Sequence, residues 1–360
     1  MTHLRFLLPG LLSALCLMLG PMAHAQTALA LKQRSLAHWH IGTAQYSGIT
    51  PLGDGRYAVV SDKEPTDGFF IFRIAQSPLT GEVTDVALEG FKGNKQPKVD
   101  AAGISIRDCE GVVYVPAFST LFISGEGDQQ ILEYDLEGQP TGRKLAVPQC
   151  FALDSIYHNY GFEALGYRAE TGRFWTTTES TLRADGPAAS PSHPGVRNLL
   201  RLQSFDHSLA PAGQYAYRMD RGETEKLGSP YIYGVPCLTA LPDGRLLILE
   251  REANIKGGYL GSTCRCKLFL VDPTQSAQID ASTRLDTLDP NLFMVKKLLA
   301  EWTTKVKLSS MDFANYEAMC LGRTLDDGRR TLLLLNDSQG GYSKGPFSLK
   351  DYIKVVLLGE

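Results

Sequence analysis

The stretch "NYGFEALGYRAETGRFWTTTES", residues 159–180, contains the pattern that indicates the fold of this chain. Two short apolar runs flank a Thr-Gly turn, which is the pattern of two antiparallel strands joined as a hairpin. Glu163 lies at the start of the first run and Glu179 at the end of the second. In an antiparallel hairpin these two positions lie at the same end. The pattern therefore predicts two neighbouring carboxylates in a segment that is otherwise apolar.

Related units recur along the chain. Each has a small apolar entry, a strand, a turn and a second strand that ends in an acid, and the five units are "YSGITPLGDGRYAVVSD", "DCEGVVYVPAFSTLFISGE", "GFEALGYRAETGRFWTTTE", "CLTALPDGRLLILE" and "NYEAMCLGRTLDDGRRTLLLLND". Four of the five turns carry Gly-Arg, at Gly55, Gly172, Gly244 and Gly328. Repeated antiparallel units spaced roughly 50 to 80 residues apart are typical of radial β-propellers.

We therefore predict an all-β chain that forms a β-propeller with six blades, with a sandwich or barrel as the alternative. The sixth blade would lie in one of the long gaps on either side of Thr239. The strand "DYIKVVLL", residues 351–358, would complete a blade begun near residues 36–44 and close the ring.

One segment has helical rather than strand periodicity. Residues 289–305 place four apolar side chains on a shared helical face, namely Leu292, Val295, Leu299 and Trp302. This spacing predicts a short helical insertion packed against a blade. No linker divides residues 26–360, which we take as a single propeller domain.

The first 25 residues predict a secretory signal peptide. Arg5 precedes an apolar run over residues 6–19, and Ala23-His24-Ala25 forms a small-x-small cleavage pattern. A membrane anchor is the alternative, but the apolar run is short for a span. We expect a periplasmic or secreted protein with no membrane span after removal of the signal.

Composition and cysteine content bound the function classes. The formal net charge is −3 and aromatic residues make up 9% of the chain, which gives no basic footprint for a nucleic-acid partner. We predict a monomer. Export makes disulfides the leading interpretation of the six cysteines beyond the leader, and a thiolate metal site is the alternative, although C-x-x-C is absent. The six cysteines are Cys109, Cys150, Cys237, Cys264, Cys266 and Cys320.

The hairpin geometry predicts where the acids meet. Glu110 pairs with Glu126, and Glu163 with Glu179. The remaining units offer Glu317 with Asp337, Asp62 after Ser47, and Glu250 after Thr239. If every unit is a blade, these hairpin ends all face one mouth of the central channel.

Clustered like charges need compensation by a hard cation, by arginine or by protonation. Carboxylates with few histidines suit Ca²⁺ or Mg²⁺, and Arg251 is the best arginine partner. The alternative is structural, with the acids accepting backbone N–H bonds between blades. The predicted metal ligands are Glu110, Glu126, Glu179, Glu250, Asp337 and Asp62. The loops after the closing acids would form a rim for a small anionic substrate, with cations at Lys63, Arg183, His193, Arg197, Lys256 and Lys344.

The motifs "DCEGV", "NYGFEAL", "LLILER" and "NYEAM…LLLLND" resemble the phytase-like family of bacterial exported proteins, often described as having an esterase-like activity of phytase. The likeness runs from about Tyr46 to Leu358. It implies a propeller related in architecture to the calcium-dependent alkaline phytases, and phosphoester or ester hydrolysis. Thr239 departs from the motif, where other units have Glu. The motif positions in this chain are Glu110, Asn159, Glu163, Glu179, Glu250, Arg251, Asn315, Glu317 and Asp337.

Our leading hypothesis is metal-assisted hydrolysis of a phosphate ester. Glu163, Glu317 and His158 would carry the catalysis, with His158 as a general acid. The substrate-binding candidates are Arg251, Lys256, Asn159 and Asn315. A serine-hydrolase mechanism would need a G-x-S-x-G motif, which the chain lacks. The alternatives are a non-catalytic ligand- or protein-binding propeller and a lactonase-like hydrolase of carboxylic esters.

Overall fold

A computed structural model describes residues 27–103, 105–344 and 347–359. The predicted signal peptide, residues 1–25, lies outside the described residues. Within them, five antiparallel sheets follow one another along the chain and surround a central channel. We call these sheets blades 1 to 5. Their innermost strands contact one another in a closed ring.

The strands fall in chain order as follows. Two short strands come first, β1 (Ala28–Ala30) and β2 (Arg34–Ser35). Blade 1 contains β3 (Tyr46–Gly53), β4 (Arg56–Ser61), β5 (Gly68–Gln76) and β6 (Val83–Gly93). Blade 2 contains β7 (Cys109–Val115), β8 (Thr120–Gly125), β9 (Gln130–Tyr134) and β10 (Pro140–Lys144). Blade 3 contains β11 (Phe162–Arg168), β12 (Arg173–Thr178), β13 (Leu199–Phe205) and β14 (Pro211–Arg218).

Blade 4 begins with β15 (Tyr231–Ala240), β16 (Leu246–Asn254) and β17 (Thr263–Val271). The chain then adds β18 (Gln278–Ile279) to blade 3 and returns to blade 4 with β19 (Lys296–Lys307) and β20 (Ser310–Met311). Blade 5 contains β21 (Asn315–Thr324), β22 (Arg330–Asp337) and β25 (Tyr352–Leu358), with the separate hairpin β23 (Ser343–Lys344) and β24 (Phe347–Ser348) inserted. The described helices are single 3₁₀ turns: Leu36–Trp39, Gln149–Phe151, Leu153–Ser155, Arg183–Asp185, Pro273–Gln275, Leu285–Thr287 and Pro290–Leu292.

The packing of blade against blade explains why the inner strands are continuous apolar runs. Side chains alternate between the two faces of a strand, so a blade in the ring buries both faces against its neighbours. In β22, Leu332 and Leu334 pack toward blade 4, whereas Leu333 and Leu335 pack toward blade 1. The outermost strand of blade 2, β10, is exposed along its whole length.

The predicted all-β propeller is confirmed, but the described residues form five blades rather than six. The long gaps on either side of Thr239 hold no extra blade. They contain the outer strands β13 and β14 of blade 3, and β17, β19 and β20 of blade 4, with the loops between them. Outer strands carry no hairpin that ends in an acid. The sequence motif alone therefore could not distinguish a gap filled by outer strands from a gap that holds a sixth blade.

The predicted helix over residues 289–305 is wrong. Pro290–Leu292 makes one 3₁₀ turn, and the rest becomes β19, which pairs with β17 from Lys296 opposite Val271 to Lys305 opposite Thr263. The open edge of β17 supplies a row of backbone partners that a helix would leave unsatisfied. Tertiary pairing therefore overrides the helical spacing.

The ring closes through both ends of the chain, as the terminal strand predicted. β25 lies in blade 5, and β1 pairs with it antiparallel, with Ala28 opposite Leu358 and Ala30 opposite Val356. The amide of Leu31 donates to the carbonyl of Val355 at 2.9 Å. The N-terminal partner is thus β1 with β2, rather than residues 36–44.

The predicted disulfides are not formed. All six cysteines of the described chain are free thiols, and all but Cys150 are buried. Cys264 and Cys266 share one face of β17 with their Sγ atoms 4.0 Å apart. Within the same residues, no helix has the length and apolar character to cross a membrane.

Leu31→Pro should weaken the ring closure, because proline removes the N–H that bonds Val355. We expect a loss of about 1–3 kcal/mol in unfolding free energy, measured by urea denaturation of the chain that starts at Gln26. Leu31→Ala keeps the N–H and is the matched control. If the two variants lose the same stability, the backbone pairing is not what closes the ring.

Candidate functional site: an acidic mouth

Every innermost strand carries a β-bulge near its start. The register with the second strand shifts after Tyr46, Cys109, Phe162, Gly234 and Tyr316 in blades 1 to 5. A bulge adds an unpaired residue and re-aims its side chain. In three blades the bulge contains a glutamate: Glu110, Glu163 and Glu317. The bulges therefore direct acids of the predicted set to one end of the channel.

Glycines next to the bulges let neighbouring inner strands approach closely. A Cβ added to Gly48 would lie 2.2 Å from the carbonyl oxygen of Glu110. One added to Gly111 would lie 2.7 Å from the carbonyl oxygen of Glu163. No real Cβ tolerates such contacts with backbone. Glycine is therefore required at these positions. Because it has no side chain, the bulges of successive blades can lie side by side.

The closing acids join the bulge acids at the same mouth. Asp62, Glu126 and Glu179 directly follow β4, β8 and β12, and Asp337 ends β22. Each is at most 7% exposed. Asp108, which precedes β7, completes the set. We call these eight carboxylates the acidic mouth: Asp62, Asp108, Glu110, Glu126, Glu163, Glu179, Glu317 and Asp337.

Two cations partly balance this charge. Arg251 of β16 is 1% exposed and forms ion pairs with Glu179 and, at 2.6 Å, with Glu317. It also donates to Asn315 Oδ1 at 2.7 Å, and Asn315 in turn donates to Glu317 Oε1 at 2.7 Å.

Lys63 is the second cation. Its Nζ lies 2.9 Å from Asp62 Oδ2 and 2.6 Å from Asp108 Oδ1, and its side chain is 40% exposed. Eight acids against two cations leave the acidic mouth strongly negative when all are ionised.

Burial raises the pKa of several acids of the mouth, and neighbouring carboxylates raise it further. Desolvation brings the pKa of Asp62, Glu126 and Glu179 to about 7. For Glu110 and Glu163, desolvation and the negative charge of a neighbouring carboxylate, Glu163 and Glu179 respectively, raise the pKa well above the usual value. The metal-free mouth therefore holds protons at a pH where ordinary carboxylates are ionised.

Two groups of three acids could hold a metal ion. In Asp62–Asp108–Glu110 and in Glu110–Glu126–Glu163, one oxygen from each residue lies within 4.8 Å of the others. Asp62 Oδ1 and Glu163 Oε2 are buried and have no hydrogen-bond partner among the described residues. Carboxylate oxygens are ligands for hard divalent cations.

The fourth blade breaks the pattern, and the predicted register there is wrong. Gly234 pairs with Arg251 and Cys237 with Leu249, so the bulge contains Val235 and Pro236. Thr239 does not occupy the acid position. It pairs with Leu247 and donates to the carbonyl of Met319 at 3.0 Å, toward the other end of the channel.

Glu250 is consequently separated from the acidic mouth, against the prediction that it is a metal ligand. It accepts from Tyr217 at 2.7 Å and pairs with Lys296 at 2.5 Å. The closing position of this hairpin belongs to Glu252, which accepts from the Tyr231 hydroxyl at 2.9 Å and the Thr224 amide at 3.0 Å. Both side chains point away from the mouth because Arg251, between them, points into it.

The remaining candidates lie at the edge. His158 and Asn159 are exposed, in a turn closed by a 3.2 Å bond from the Tyr160 amide to the Tyr157 carbonyl. Asn159 has a left-handed φ of 60°. Lys256 lies in the loop after β16, with its Nζ beside Gly261. The structure therefore does not bring His158, Asn159 or Lys256 together with the carboxylates.

Two residues of the site were missed as candidates. Asp108 is the first letter of "DCEGV", but the hairpin argument considered only acids within or after strands. Tyr160 precedes the third unit, and its pKa is raised by burial and by the nearby Glu179. Neither has a sequence signal of its own, because both reach the mouth from turns.

Solved structures with low similarity include the streptogramin B lyase structure, at 12% identity over 92% of this chain and 98% of that chain, with a TM-score of 0.35. The PQQ-bound aldose sugar dehydrogenase from Streptomyces coelicolor is 11% identical over 92% of this chain and 98% of that chain, with a TM-score of 0.38. The alpha-L-arabinofuranosidase from Lactobacillus brevis is 11% identical over 87% of this chain and 91% of that chain, with a TM-score of 0.43. These similarities bear on none of the chemistry.

A search of curated proteins finds no match. The model of one family, phytase-like, described as esterase-like activity of phytase, matches residues 41–339. That span contains all eight acids of the mouth and most of the ring. The chain therefore belongs to the phytase-like family.

Proposed function

We propose that the protein is an exported, monomeric hydrolase that uses Ca²⁺ to cleave a phosphate ester of a small anionic substrate at the acidic mouth. The observation that carries this proposal is the excess of eight buried or half-buried carboxylates over two cations. The family description supports hydrolysis of a phosphate or related ester. Export rests on the signal peptide that residues 1–25 predict.

The residues fit a calcium ion. Glu110, Glu126 and Glu163 would hold it, since their oxygens lie within 4.8 Å of one another and ligands on opposite sides of Ca²⁺ lie about 4.6–5.2 Å apart. The unpartnered Glu163 Oε2 is the kind of buried oxygen that a cation satisfies. When bound, the ion supplies Lewis-acid stabilisation of charge on phosphate oxygens.

The chain's own side chains would bind substrate and move protons. Lys63 is half-exposed at the mouth and can donate to phosphate oxygens, a role better suited to it than to the fully buried Arg251. Arg251 instead orients Glu179 and Glu317. Glu179, with a pKa near 7, can take or give a proton at neutral pH, and the Tyr160 hydroxyl lies close to it.

Glu163→Gln tests the catalytic proposal. Removing one charged ligand should lower calcium-dependent turnover of a chromogenic phosphomonoester or phosphodiester by roughly 100-fold or more. Glu252→Gln is the matched control. It removes the acid at the closing position of the blade 4 hairpin, and the Glu252 side chain faces away from the mouth. Its turnover should stay within about twofold of the parent, with both variants checked by thermal melting.

The same assay separates the alternatives. Turnover of a carboxylic ester but of neither phosphate ester would favour a lactonase-like enzyme. Calcium binding without turnover on any substrate would favour a propeller that binds a ligand or protein. No calcium-dependent turnover on either phosphate ester contradicts the proposal.

The metal-free protein should lose stability as the pH rises from about 4.5 to 7. Asp62, Glu126 and Glu179 have a pKa of about 7 in the folded chain and about 4 when unfolded. In that window the folded state binds more protons, so unfolding becomes easier with increasing pH.

Melting temperatures between pH 5 and pH 8, with chelator and with Ca²⁺, check this prediction. Calcium binds the ionised carboxylates, so its stabilising effect should be larger at pH 8 than at pH 5. A metal-free melting temperature that rises from pH 5 to pH 7.5 contradicts it.

A further inference from the structure

The two three-acid groups of the mouth share one residue. Glu110 contributes an oxygen both to the group with Asp62 and Asp108 and to the group with Glu126 and Glu163. Glu110 is 5% exposed and comes from the bulge of β7. Two adjacent positions for a cation therefore have a common carboxylate between them.

Each position has its own unpartnered buried oxygen. Asp62 Oδ1 lies in the first group and Glu163 Oε2 in the second, and neither has a hydrogen-bond partner among the described residues. Both residues are 7% exposed. A buried ionised oxygen without a donor is unfavourable, so each group offers an oxygen that a bound cation would satisfy.

The two positions differ in what the chain already supplies. At the first, the Lys63 ammonium lies 2.9 Å from Asp62 Oδ2 and 2.6 Å from Asp108 Oδ1. At the second, no lysine or arginine of the described residues forms an ion pair with Glu126 or Glu163. Among the same residues, the Glu126 carboxylate accepts only the Gly161 amide, at 2.8 Å. The chain thus fills one cation position with its own ammonium and leaves the other to an external ion.

We propose that the acidic mouth has two cation positions bridged by Glu110, and that Lys63 competes with a second divalent ion for the position between Asp62 and Asp108. This inference rests on the calcium binding in the proposed function. Lys63 can leave because its side chain is 40% exposed and its flexible stem reaches solvent. Its displacement frees the ammonium at the mouth for an anionic substrate.

The proposal predicts the calcium stoichiometry of the holo-protein. Equilibrium dialysis with Ca²⁺, followed by metal analysis, should show one tightly bound ion in the parent and a second that binds weakly. Lys63→Met keeps the length of the side chain but removes the charge that repels a nearby divalent ion. It should bind the second ion roughly tenfold more tightly or better, whereas Lys63→Arg keeps the charge and should behave like the parent.

Three ligand variants map the bridge. Asp108→Asn should weaken only the second, weak ion, Glu126→Gln only the tight ion, and Glu110→Gln both. Glu252→Gln should change neither. Melting with and without Ca²⁺ shows which variants fold, and Lys63→Met needs no buried ligand to be altered.

The outcomes separate this inference from the hydrolase proposal. One calcium ion bound with equal affinity by the parent and by Lys63→Met overturns the second position while leaving a single-ion hydrolase intact. Two ions bound equally by both proteins overturn the competition with Lys63. Absence of calcium binding in all variants overturns both proposals, since each requires the ion.

Discussion

Mutual repulsion among buried carboxylates is the constraint on which the acidic mouth depends. The ring of five inner strands is narrow, and glycines such as Gly48 and Gly111 bring their backbones into direct contact. The bulges then turn acids from neighbouring blades toward one another. Fold and charge thus oppose each other here, because the packing that stabilises the ring also concentrates negative charge. Any function of the mouth therefore depends on how the excess of negative charge is compensated.

The fourth blade gives the ring a direction. With Val235 and Pro236 in its bulge, it contributes no acid, and Arg251 enters the mouth from its second strand instead. Arg251 pairs with Glu179 of blade 3 and Glu317 of blade 5, its neighbours on either side. Among the acids left without a guanidinium partner, Asp337 belongs to blade 5 and the others belong to blades 1, 2 and 3. Both three-acid groups are drawn from those three blades.

Sequence patterns predicted the parts of this arrangement that depend on local geometry. Glu110 with Glu126 and Glu163 with Glu179 meet because hairpin ends meet. Arg251 was identified as the best arginine partner because it directly follows Glu250, and it pairs with Glu179 and Glu317. The failures have a common cause in non-local pairing. The register of β15 with β16, which places Arg251 rather than Glu250 in the mouth, has no motif. β19 is a strand because β17 offers an edge, and Asp108 and His158 lie in turns whose direction only the tertiary structure sets. Blade number failed because outer strands carry no repeated acid.

The two ends of the channel differ although the same five strands form both. Beyond the bulges these strands line a cavity of about 170 Å³ whose walls include Thr50, Tyr114, Leu165, Thr239 and Met319 and contain no carboxylate. A divalent ion has carboxylate ligands at the acidic mouth and none in that cavity, so burial in the channel interior is less favourable for it. Under the proposed function, ion, water and substrate would exchange at the acidic mouth. Lys63 is the one half-exposed cation there among the described ion pairs of the site. Lys63 is half-exposed and Arg251 is buried. An ion or anionic group that enters the mouth would therefore interact with the charge of Lys63 rather than with that of Arg251.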